Sequence, residues 1–148
     1  EMGIDNVKIG PETLGRHSQF GDLDEILAIC QEVEQTQLVI DWSHLHARGG
    51  GKLRSVQDFR NEIAKVESKL GSDAVRSMHC HFSKIEYTYK AGEKRHRCLD
   101  EAGFGPEFSH FANVINEFKL CPTIICETPM QDIDSLKMRE ILKKITTA

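Results

Sequence analysis

The sequence predicts an α/β fold in which consecutive strand–helix units form a parallel sheet with outer helices. Short apolar runs alternate with longer amphipathic segments along the whole chain. Such alternation is typical of a parallel sheet with right-handed crossovers. The 148 residues suit one ordinary domain, and no linker or low-complexity stretch divides them. We therefore predict a single domain over 1–148.

The first strand–helix unit lies near the start of the chain. The run VKIGPE (7–12) is short and apolar and is closed by Gly and Pro, so it predicts a strand. The segment DLDEILAICQEVEQ (22–35) has apolar residues at helical spacing, and Asp22 suits its N-cap. The next strand is QLVID (37–41), whose lack of polar alternation predicts a strand covered on both faces.

The second helix has clear signals at both ends. SVQDFRNEIAKVESKL (55–70) begins with Ser55 and Asp58, which resemble a capping box, and Gly71 follows it as a stop. The third strand is then VRSMHCHF (75–82), and a long polar loop leaves it.

The last two units complete the predicted fold. GPEFSHFANVINEFKL (105–120) is the third helix, PTIICE (122–127) the fourth strand, and DIDSLKMREILKKI (132–145) the closing helix. The predicted inward stripe of the closing helix is Ile133, Leu136, Ile141 and Leu142.

A side chain able to bind metal stands at the carboxyl end of each predicted strand. These side chains are Glu12, Asp41, His81 and Glu127. In parallel sheets the ligand site lies beyond these strand ends. Three carboxylates and an imidazole brought together would repel one another unless a cation neutralised them. Singly, each has an ordinary alternative: Asp41 could cap a turn, and either His79 or His81 could be a core histidine. Jointly they predict a metal site.

Five motifs in chain order resemble the C-terminal half of the endonuclease IV family, which comprises zinc-dependent apurinic/apyrimidinic endonucleases built on a TIM barrel. PETLG (11–15) resembles the strand with the metal-bridging glutamate, and IDWSH (40–44) matches an aspartate-x-x-histidine pattern. MHCHFS (78–83) resembles the histidine strand, and IICETP (124–129) the last ligand strand. EKRH (93–96) resembles a loop that carries aspartate-Arg-His in the family. The motifs are more specific for the broader xylose-isomerase-like barrels than for endonuclease activity.

The resemblance implies a set of functional residues. The implied metal ligands are Glu12, Asp41, His44, His81, His96 and Glu127, and the implied catalytic residues are Glu12 and Glu127. Zinc is the implied cofactor, and manganese suits the same donors. The chain departs from the family at Lys94, which stands where the family has aspartate; either Glu93 substitutes or one metal position is lost. Two family histidines from the N-terminal half have no counterpart here.

Damaged double-stranded DNA is the partner that this resemblance implies. The formal net charge of −4 does not favour nucleic acid overall, but two basic clusters could contact phosphates. The candidate DNA-binding residues are Arg48, Lys52, Arg54, Lys94 and Arg95. Ordinary solvated surface is the alternative for either cluster. The glycines at 49–51 would let their loop approach a backbone closely, or would form a plain flexible turn.

Four units amount to half of a (β/α)8 barrel, since a complete barrel has eight strands and about 250 residues. We expect a C-terminal half-barrel from a longer chain, completed by a missing N-terminal half-barrel or by a second copy of this chain. No apolar run approaches the roughly 18 residues of a membrane span. Five cysteines without a CxxC pair fit a reducing cytoplasm.

Three functions remain open at this point. The first is a metal-dependent endonuclease of DNA repair that hydrolyses the phosphodiester at abasic sites. The second is a sugar isomerase or epimerase of the same barrel group, with one divalent ion held by the residues at the four strand ends. The third is a non-catalytic chain that binds metal or assembles with a partner. The basic loops favour the first, whereas the acidic net charge and Lys94 favour a small substrate.

Overall fold

The computed structural model describes residues 7–147, and its main sheet has three parallel strands. In chain order these are β1 (Val39–Asp41), β2 (His79–Phe82) and, after a hairpin, β5 (Thr123–Cys126). The order across the sheet is β1-β2-β5. Asp41 is the register partner of His81, so the ends of β1 and β2 are level.

Six helices accompany the described strands. They are α1 (Leu23–Glu32), α2 (Trp42–Arg48), α3 (Val56–Leu70), α4 (Ser72–Arg76), α5 (Phe108–Phe118) and α6 (Gln131–Thr146). Asp22 caps α1, and the capping box of Ser55 and Asp58 begins α3 as predicted. Gly71 ends α3 with φ near +83°, a conformation that favours glycine.

The core lies between the helices and one face of the sheet. Trp42 is fully buried, and its ring lies 5.1 Å from that of Phe59 and 4.8 Å from that of Phe111 between centroids. Ile40, Cys80 and Phe82 are the fully buried strand residues on this face. Because Trp42 directly follows Asp41, the packing of the core also holds the end of β1 in place.

The opposite face of the sheet is uncovered within residues 7–147. Ile125 on this face is 43% exposed, whereas its neighbours Ile124 and Cys126 pack against the core. This exposure concerns β5; in the strand predicted at 37–41, Asp41 is fully buried and Val39 is partly buried, so the structure does not contradict the prediction that this strand is covered on both faces.

The first predicted strand, at 7–12, is present only as isolated bridges. Ile9 and Glu12 bridge Thr36 and Val39 in the parallel sense, with four main-chain hydrogen bonds of 2.8 to 3.1 Å between the two segments. Pro11 lies between the two bridges and has no N–H to donate. Three parallel strands therefore stand where four were predicted, and the segment at 9–13 runs beside β1.

A second correction concerns the predicted polar loop after the third strand. It contains an antiparallel hairpin of β3 (Lys84–Thr88) and β4 (Gly92–Arg97). Glu86 pairs with Arg95 and Tyr87 pairs with Glu93, so the ladder skips one residue on β4. Charged residues occupy many positions of both strands, although only Thr88, Lys94 and Arg95 are exposed. The charges therefore obscured the strand pattern in the sequence.

The closing helix α6 differs from its prediction in the face that it buries. Ile133 and Leu136 are exposed, Ile141 and Leu142 are only partly buried, and Asp134 and Met138 are buried instead. The rotation of α6 about its axis is fixed by Asp134, whose Oδ2 accepts a hydrogen bond of 3.0 Å from the backbone N–H of Leu99. Within the described part of the chain, no helix is long and apolar enough to cross a membrane.

Candidate metal centre

Four side chains from four neighbouring chain segments converge at the carboxyl ends of the strands. Glu12, Asp41, His81 and Glu127 each offer one ligand atom, and these atoms lie within 4.8 Å of one another. Glu12 lies on the segment bridged to β1. Asp41 of β1 and His81 of β2 are register partners and therefore lie side by side. Glu127 follows β5, where its N–H donates to the carbonyl of Phe82 at 3.0 Å. We call these four residues the strand-end cluster.

The imidazole of His81 holds the strand-end cluster together. Its Nδ1 lies 3.2 Å from Glu12 Oε1 and 3.3 Å from Glu127 Oε1. Hydrogen bonds from His44 and then His81 lower the pKa of Glu12 to about 2, and the same contact with Glu12 raises the pKa of His81. Burial, followed by the charge of Asp41, raises the pKa of Glu127. The cluster therefore concentrates negative charge that attracts any available cation.

The two oxygens of the Asp41 carboxylate do different things. Oδ1 accepts a hydrogen bond of 2.8 Å from the backbone N–H of His44 and so caps α2. Oδ2 is buried and has no hydrogen-bond partner within the described residues. A buried carboxylate oxygen without a donor is costly, and a bound cation would offset that cost. The capping alternative is thus correct, and it leaves one oxygen available as a ligand.

His44 points its ring into the same region from the first turn of α2. Its Nδ1 donates to the carbonyl of Thr13 at 2.9 Å and lies 3.4 Å from both Glu12 Oε1 and Asp41 Oδ2. Burial alone would lower the pKa of His44, but Glu12 and Asp41 together with Thr13 raise it to about 9. Because a carbonyl only accepts, Nδ1 carries a proton. With a pKa of about 9 the metal-free ring also carries a proton on Nε2 near neutral pH, and that proton would leave when Nε2 binds a metal.

A second group of donor atoms shares Asp41 with the strand-end cluster. Asp41, His44 and His96 place ligand atoms within 4.8 Å of one another. The rings of His44 and His96 meet edge to face at 5.4 Å, and His96 Nδ1 lies 3.9 Å from Glu127 Oε2. All six predicted ligands therefore lie in two adjoining groups.

Three hydroxyl residues that sequence reasoning missed support these ligands. Thr13 accepts a hydrogen bond of 2.9 Å from the N–H of Asp41 through its buried hydroxyl. Ser43 Oγ donates to the carbonyl of Ser83 at 2.9 Å, and Ser83 Oγ donates to Ser43 Oγ at 3.0 Å. Ser83 Oγ then accepts from His96 Nδ1 at 2.8 Å, which leaves Nε2 of His96 free as a donor to a metal. The available signal was sequence position: Thr13 follows Glu12, Ser43 lies two residues after Asp41, and Ser83 directly follows β2.

His46 and His79 are among the histidines that lie outside both groups. His46 is buried, accepts a hydrogen bond of 3.2 Å from the backbone N–H of Leu53, and has its pKa lowered to about 4 by burial. It is therefore a neutral structural residue. His79 lies one step behind His81 on the same face of β2, with 5.4 Å between the ring centroids.

The predicted DNA-binding residues of the first cluster all have intramolecular contacts. Arg48 donates to the carbonyls of Leu14, Arg16 and Gln19 at 3.4, 2.8 and 3.0 Å, so it clamps the loop after Glu12. Arg54 Nε donates to the carbonyl of Gly51 at 2.6 Å. Lys52 pairs with Glu62 at 2.8 Å.

The second basic cluster forms one ion-pair network on the hairpin. Glu86 contacts the side chains of Lys94, Arg95 and Arg97. These contacts, that of Lys94 first, lower the pKa of Glu86 to about 2. Lys94 and Arg95 are both exposed, so they remain accessible, but part of their charge is neutralised by Glu86.

The donor set suits a divalent cation. Carboxylate oxygens and imidazole nitrogens are the ligands that zinc and manganese take in proteins, and the mixture does not choose between them. Asp41, whose Oδ2 has no hydrogen-bond partner within the described residues, belongs to both groups of ligand atoms. The residues present therefore fit a metal.

Comparisons with known proteins agree on the type of fold. A family model described as xylose isomerase-like TIM barrel matches residues 4–146. The chain is 37% identical over 140 residues to an uncharacterised protein of Methanocaldococcus jannaschii, covering 95% of the chain and 50% of that protein. It is 28% identical over 144 residues to a probable endonuclease 4 of Persephonella marina, covering 93% of the chain and 48% of that protein.

A solved structure gives the same picture. The crystal structure of AsfvAP:AG resembles this chain with a TM-score of 0.62 over 96% of the chain and 54% of that structure. The identity is 18%, so this likeness concerns the fold alone. The chain spans about half the length of the curated relatives that it matches.

Proposed function

The chain belongs to the xylose isomerase-like TIM barrel family, and from this premise we propose that it is the C-terminal half-barrel of a metal-dependent endonuclease of DNA repair. The substrate is damaged double-stranded DNA, and the reaction is hydrolysis of the phosphodiester at an abasic site. The observation that carries the proposal is the strand-end cluster, whose ligand atoms lie within 4.8 Å of one another. The similarity to a probable endonuclease 4 supports the substrate class.

The half-barrel arrangement explains the uncovered sheet face. A closed barrel would cover the face that carries His79, His81 and Ile125, which has no covering layer within residues 7–147. The chain also spans about half the length of its curated relatives. The completing partner is an N-terminal half-barrel of the same protein or, failing that, a second copy of this chain.

Zinc is the proposed cofactor, with manganese as the alternative. Glu12, Asp41, His81 and Glu127 would hold one ion, and Asp41, His44 and His96 would contribute to a second. A divalent ion at this position supplies Lewis-acid polarisation of a phosphodiester oxygen and activation of water near neutral pH.

The two glutamates of the strand-end cluster have pKa values shifted in opposite directions. The lowered pKa of Glu12 keeps its carboxylate ionised, which suits a permanent ligand. Burial and then the charge of Asp41 raise the pKa of Glu127, and a cation bound beside Glu127 would lower that pKa again, so Glu127 would also serve as an ionised ligand. His96 Nδ1 lies 3.9 Å from Glu127 Oε2, too far for a hydrogen bond.

A sugar isomerase or epimerase remains the second candidate because one observation favours it. Lys94 and Arg95 share Glu86, and Arg48 is occupied by three carbonyls, so the cationic surface for a nucleic acid is weaker than the sequence predicts. The strand-end cluster alone would hold the single divalent ion that proton transfer beside a sugar carbonyl requires.

One experiment separates the two candidates. The full-length protein is incubated with an abasic-site duplex and, separately, with ketose sugars, each with zinc, with manganese and with chelator. We expect strand cleavage that depends on metal and is lost in Glu127→Gln. The matched control is Glu140→Gln, which changes an exposed glutamate on α6 and should retain activity.

The outcomes decide plainly. Epimerised sugar with an intact duplex would favour the second candidate, and full activity in chelator would contradict both. For the 148-residue chain alone we expect negligible cleavage, because two histidine ligands of the family lie in the half that it does not contain. Robust cleavage by this chain alone would contradict the half-barrel assignment.

A further inference from the structure

We propose that the tip of the hairpin is a nucleic-acid contact, in which the ring of Tyr89 stacks on an unpaired base and the side chains of Lys90 and Arg16 bind neighbouring phosphates. This inference rests on the proposed function and adds a binding surface at the rim of its metal site. None of the three residues is among the candidate DNA-binding residues that the sequence indicated.

The turn between β3 and β4 consists of residues 89–91 and presents an aromatic ring to solvent. Tyr89 is 75% exposed, and its ring meets that of Tyr87 edge to face, with 5.8 Å between the centroids. A single exposed apolar ring is common on protein surfaces, but this one is held in place by its neighbours.

The glycine string at 49–51 lies against the two tyrosine rings. A Cβ on Gly50 would lie 3.1 and 3.2 Å from ring atoms of Tyr89, and a Cβ on Gly51 would collide with the hydroxyl of Tyr87. The same hydroxyl donates to the carbonyl of Gly50 at 3.2 Å. The glycines therefore make room for the rings, and the exposed part of the Tyr89 ring is free to stack on a base.

The tip is also fixed against the loop that follows Glu12. The carbonyl of Ala91 accepts the N–H of His17 at 3.2 Å, and Gly92 forms an antiparallel bridge with Arg16. These contacts order the tip before any ligand binds, which lowers the entropic cost of binding. They also place Arg16 beside the turn that carries the exposed ring.

The tip borders the candidate metal centre. Glu93 lies four residues after Tyr89, and its Oε2 lies 3.6 Å from His44 Nε2. Four residues of chain span at most about 14 Å. This length equals about four base steps along one strand of DNA, at about 3.4 Å each. One nucleic-acid strand can therefore reach both the centre and Tyr89.

The charge around the tip suits a polyanion. No acidic residue occurs in the segments 13–21 and 87–92. Lys90 and Arg16 are exposed and take part in no ion pair within residues 7–147. Lys94 and Arg95, by contrast, share Glu86. A neutral sugar would also stack on an aromatic ring, but it offers no anionic partner to the two cations. Charge complementarity therefore favours a nucleic-acid strand.

The first test measures DNA binding by the full-length protein. Fluorescence anisotropy compares a labelled single strand with the fully paired duplex of the same sequence, both without an abasic site. We expect Tyr89→Ala to weaken single-strand binding by about 5- to 150-fold, as for other aromatic residues that stack on bases. Duplex binding should change less, because paired bases are already stacked. Tyr89→Phe keeps the ring and should bind like the wild type, as should the control Phe118→Ala, which removes an exposed ring at the end of α5.

The second test separates charge from stacking. Binding of the single strand is measured over a range of salt concentrations. Lys90→Gln and Arg16→Gln should each reduce the slope of log affinity against log salt concentration by about 0.7, because each removes one phosphate contact. Tyr89→Ala should lower the affinity and leave the slope unchanged. The control is Lys69→Gln, which changes an exposed lysine in the last turn of α3. Circular dichroism confirms that each variant is folded.

Single-strand binding by Tyr89→Ala equal to that of the wild type would overturn the inference, and so would the absence of binding by the wild type. Equal losses in Tyr89→Ala and Tyr89→Phe would exclude stacking on the ring. A raised KM for a ketose in Tyr89→Ala, with unchanged DNA binding, would assign the tip to a sugar instead.

Cleavage of an abasic-site duplex is assayed separately, so the two proposals can fail independently. Weaker single-strand binding in Tyr89→Ala, with no cleavage by the wild type, would refute the proposed function and leave this contact standing. Metal-dependent cleavage by the wild type, with binding unchanged in Tyr89→Ala, would have the opposite meaning.

Discussion

Both carboxylate oxygens of Asp41 lie close to His44, but only Oδ1 forms a hydrogen bond with it. Oδ1 accepts the backbone N–H of His44 at 2.8 Å, and Oδ2 lies 3.4 Å from the ring nitrogen Nδ1. The first contact begins α2, and the second keeps the imidazole beside the strand-end cluster. One side chain thus starts the helix and belongs to both groups of candidate ligands.

The substitution Asp41→Asn separates these two roles. Asn caps helices about as well as Asp, so we expect the free energy of unfolding of the metal-free protein to change by less than about 1 kcal/mol. An amide in place of the Oδ2 oxygen is a poor ligand, so bound zinc should fall. Elemental analysis and urea unfolding measure the two effects.

The control for this pair of effects is Asp41→Ala, which removes the cap as well. It should lower the free energy of unfolding by a further amount of about 1 kcal/mol. Unchanged zinc content in Asp41→Asn would mean that Asp41 is a helix cap and nothing more.

Ser83 should matter for metal binding although it touches no ion. Its hydroxyl accepts from His96 Nδ1 and fixes the ring, and Ser83→Ala removes that contact. We expect the affinity for zinc to fall by about 10–100-fold, as for other residues that orient a ligating histidine. Competition with a chelator measures the affinity, and Ser68→Ala on the outer surface of α3 is the control. An unchanged affinity would show that the ring is oriented by other contacts.

The fold class was predictable because hydrophobic periodicity reports burial directly. The stripes of α1, α3 and α5 identified these helices, and the run at 37–41 identified the strand that ends at Asp41. The charged hairpin at 84–97 was not predictable, since its strands pair with each other and Ile85 is their one fully buried apolar side chain. The rotation of α6 depends on the contact of Asp134 with Leu99, which no local pattern encodes.

The candidate ligands could be predicted because they stand at the ends of strands, whereas the contacts that support them could not be predicted. Topology alone brings Glu12, Asp41, His81 and Glu127 together, because parallel strands end at one edge. The bulge in the hairpin is a one-residue shift in register, and such a shift cannot be read from composition. The contacts of Arg48 with three carbonyls likewise depend on the path of a loop that the sequence does not specify.

Arg48 should stabilise the fold more than Lys52 does. Three hydrogen bonds from its guanidinium to loop carbonyls are lost in Arg48→Ala, and we expect the free energy of unfolding to fall by about 1–3 kcal/mol. Lys52→Ala removes one surface ion pair, worth less than about 1 kcal/mol. Urea unfolding followed by fluorescence of the buried Trp42 compares the two. Equal stability of both variants would indicate that Arg48 is free to bind phosphate.

Asp134 should make the stability of the fold depend on pH. Burial alone would raise the pKa of Asp134, but Lys137, 2.8 Å away, and the N–H of Leu99 outweigh burial and lower it. A lowered carboxyl pKa stabilises the fold above the ordinary value near 4, and this contribution is lost as the pH falls through the lowered pKa. Near neutral pH, Asp134→Asn should therefore lower the free energy of unfolding by about 1–3 kcal/mol.

The same pair of proteins distinguishes charge from packing at this position. The difference in unfolding free energy between wild type and Asp134→Asn should be constant from about pH 7 to about pH 5 and should shrink below about pH 4. Urea unfolding across this range measures it, and Asp132→Asn, an exposed neighbour on α6, is the control that should show little difference at any pH. If the difference persists undiminished in acid, the negative charge of Asp134 does not cause it, because protonation removes that charge from the wild type. Asp134 would then act through its shape and hydrogen bonding.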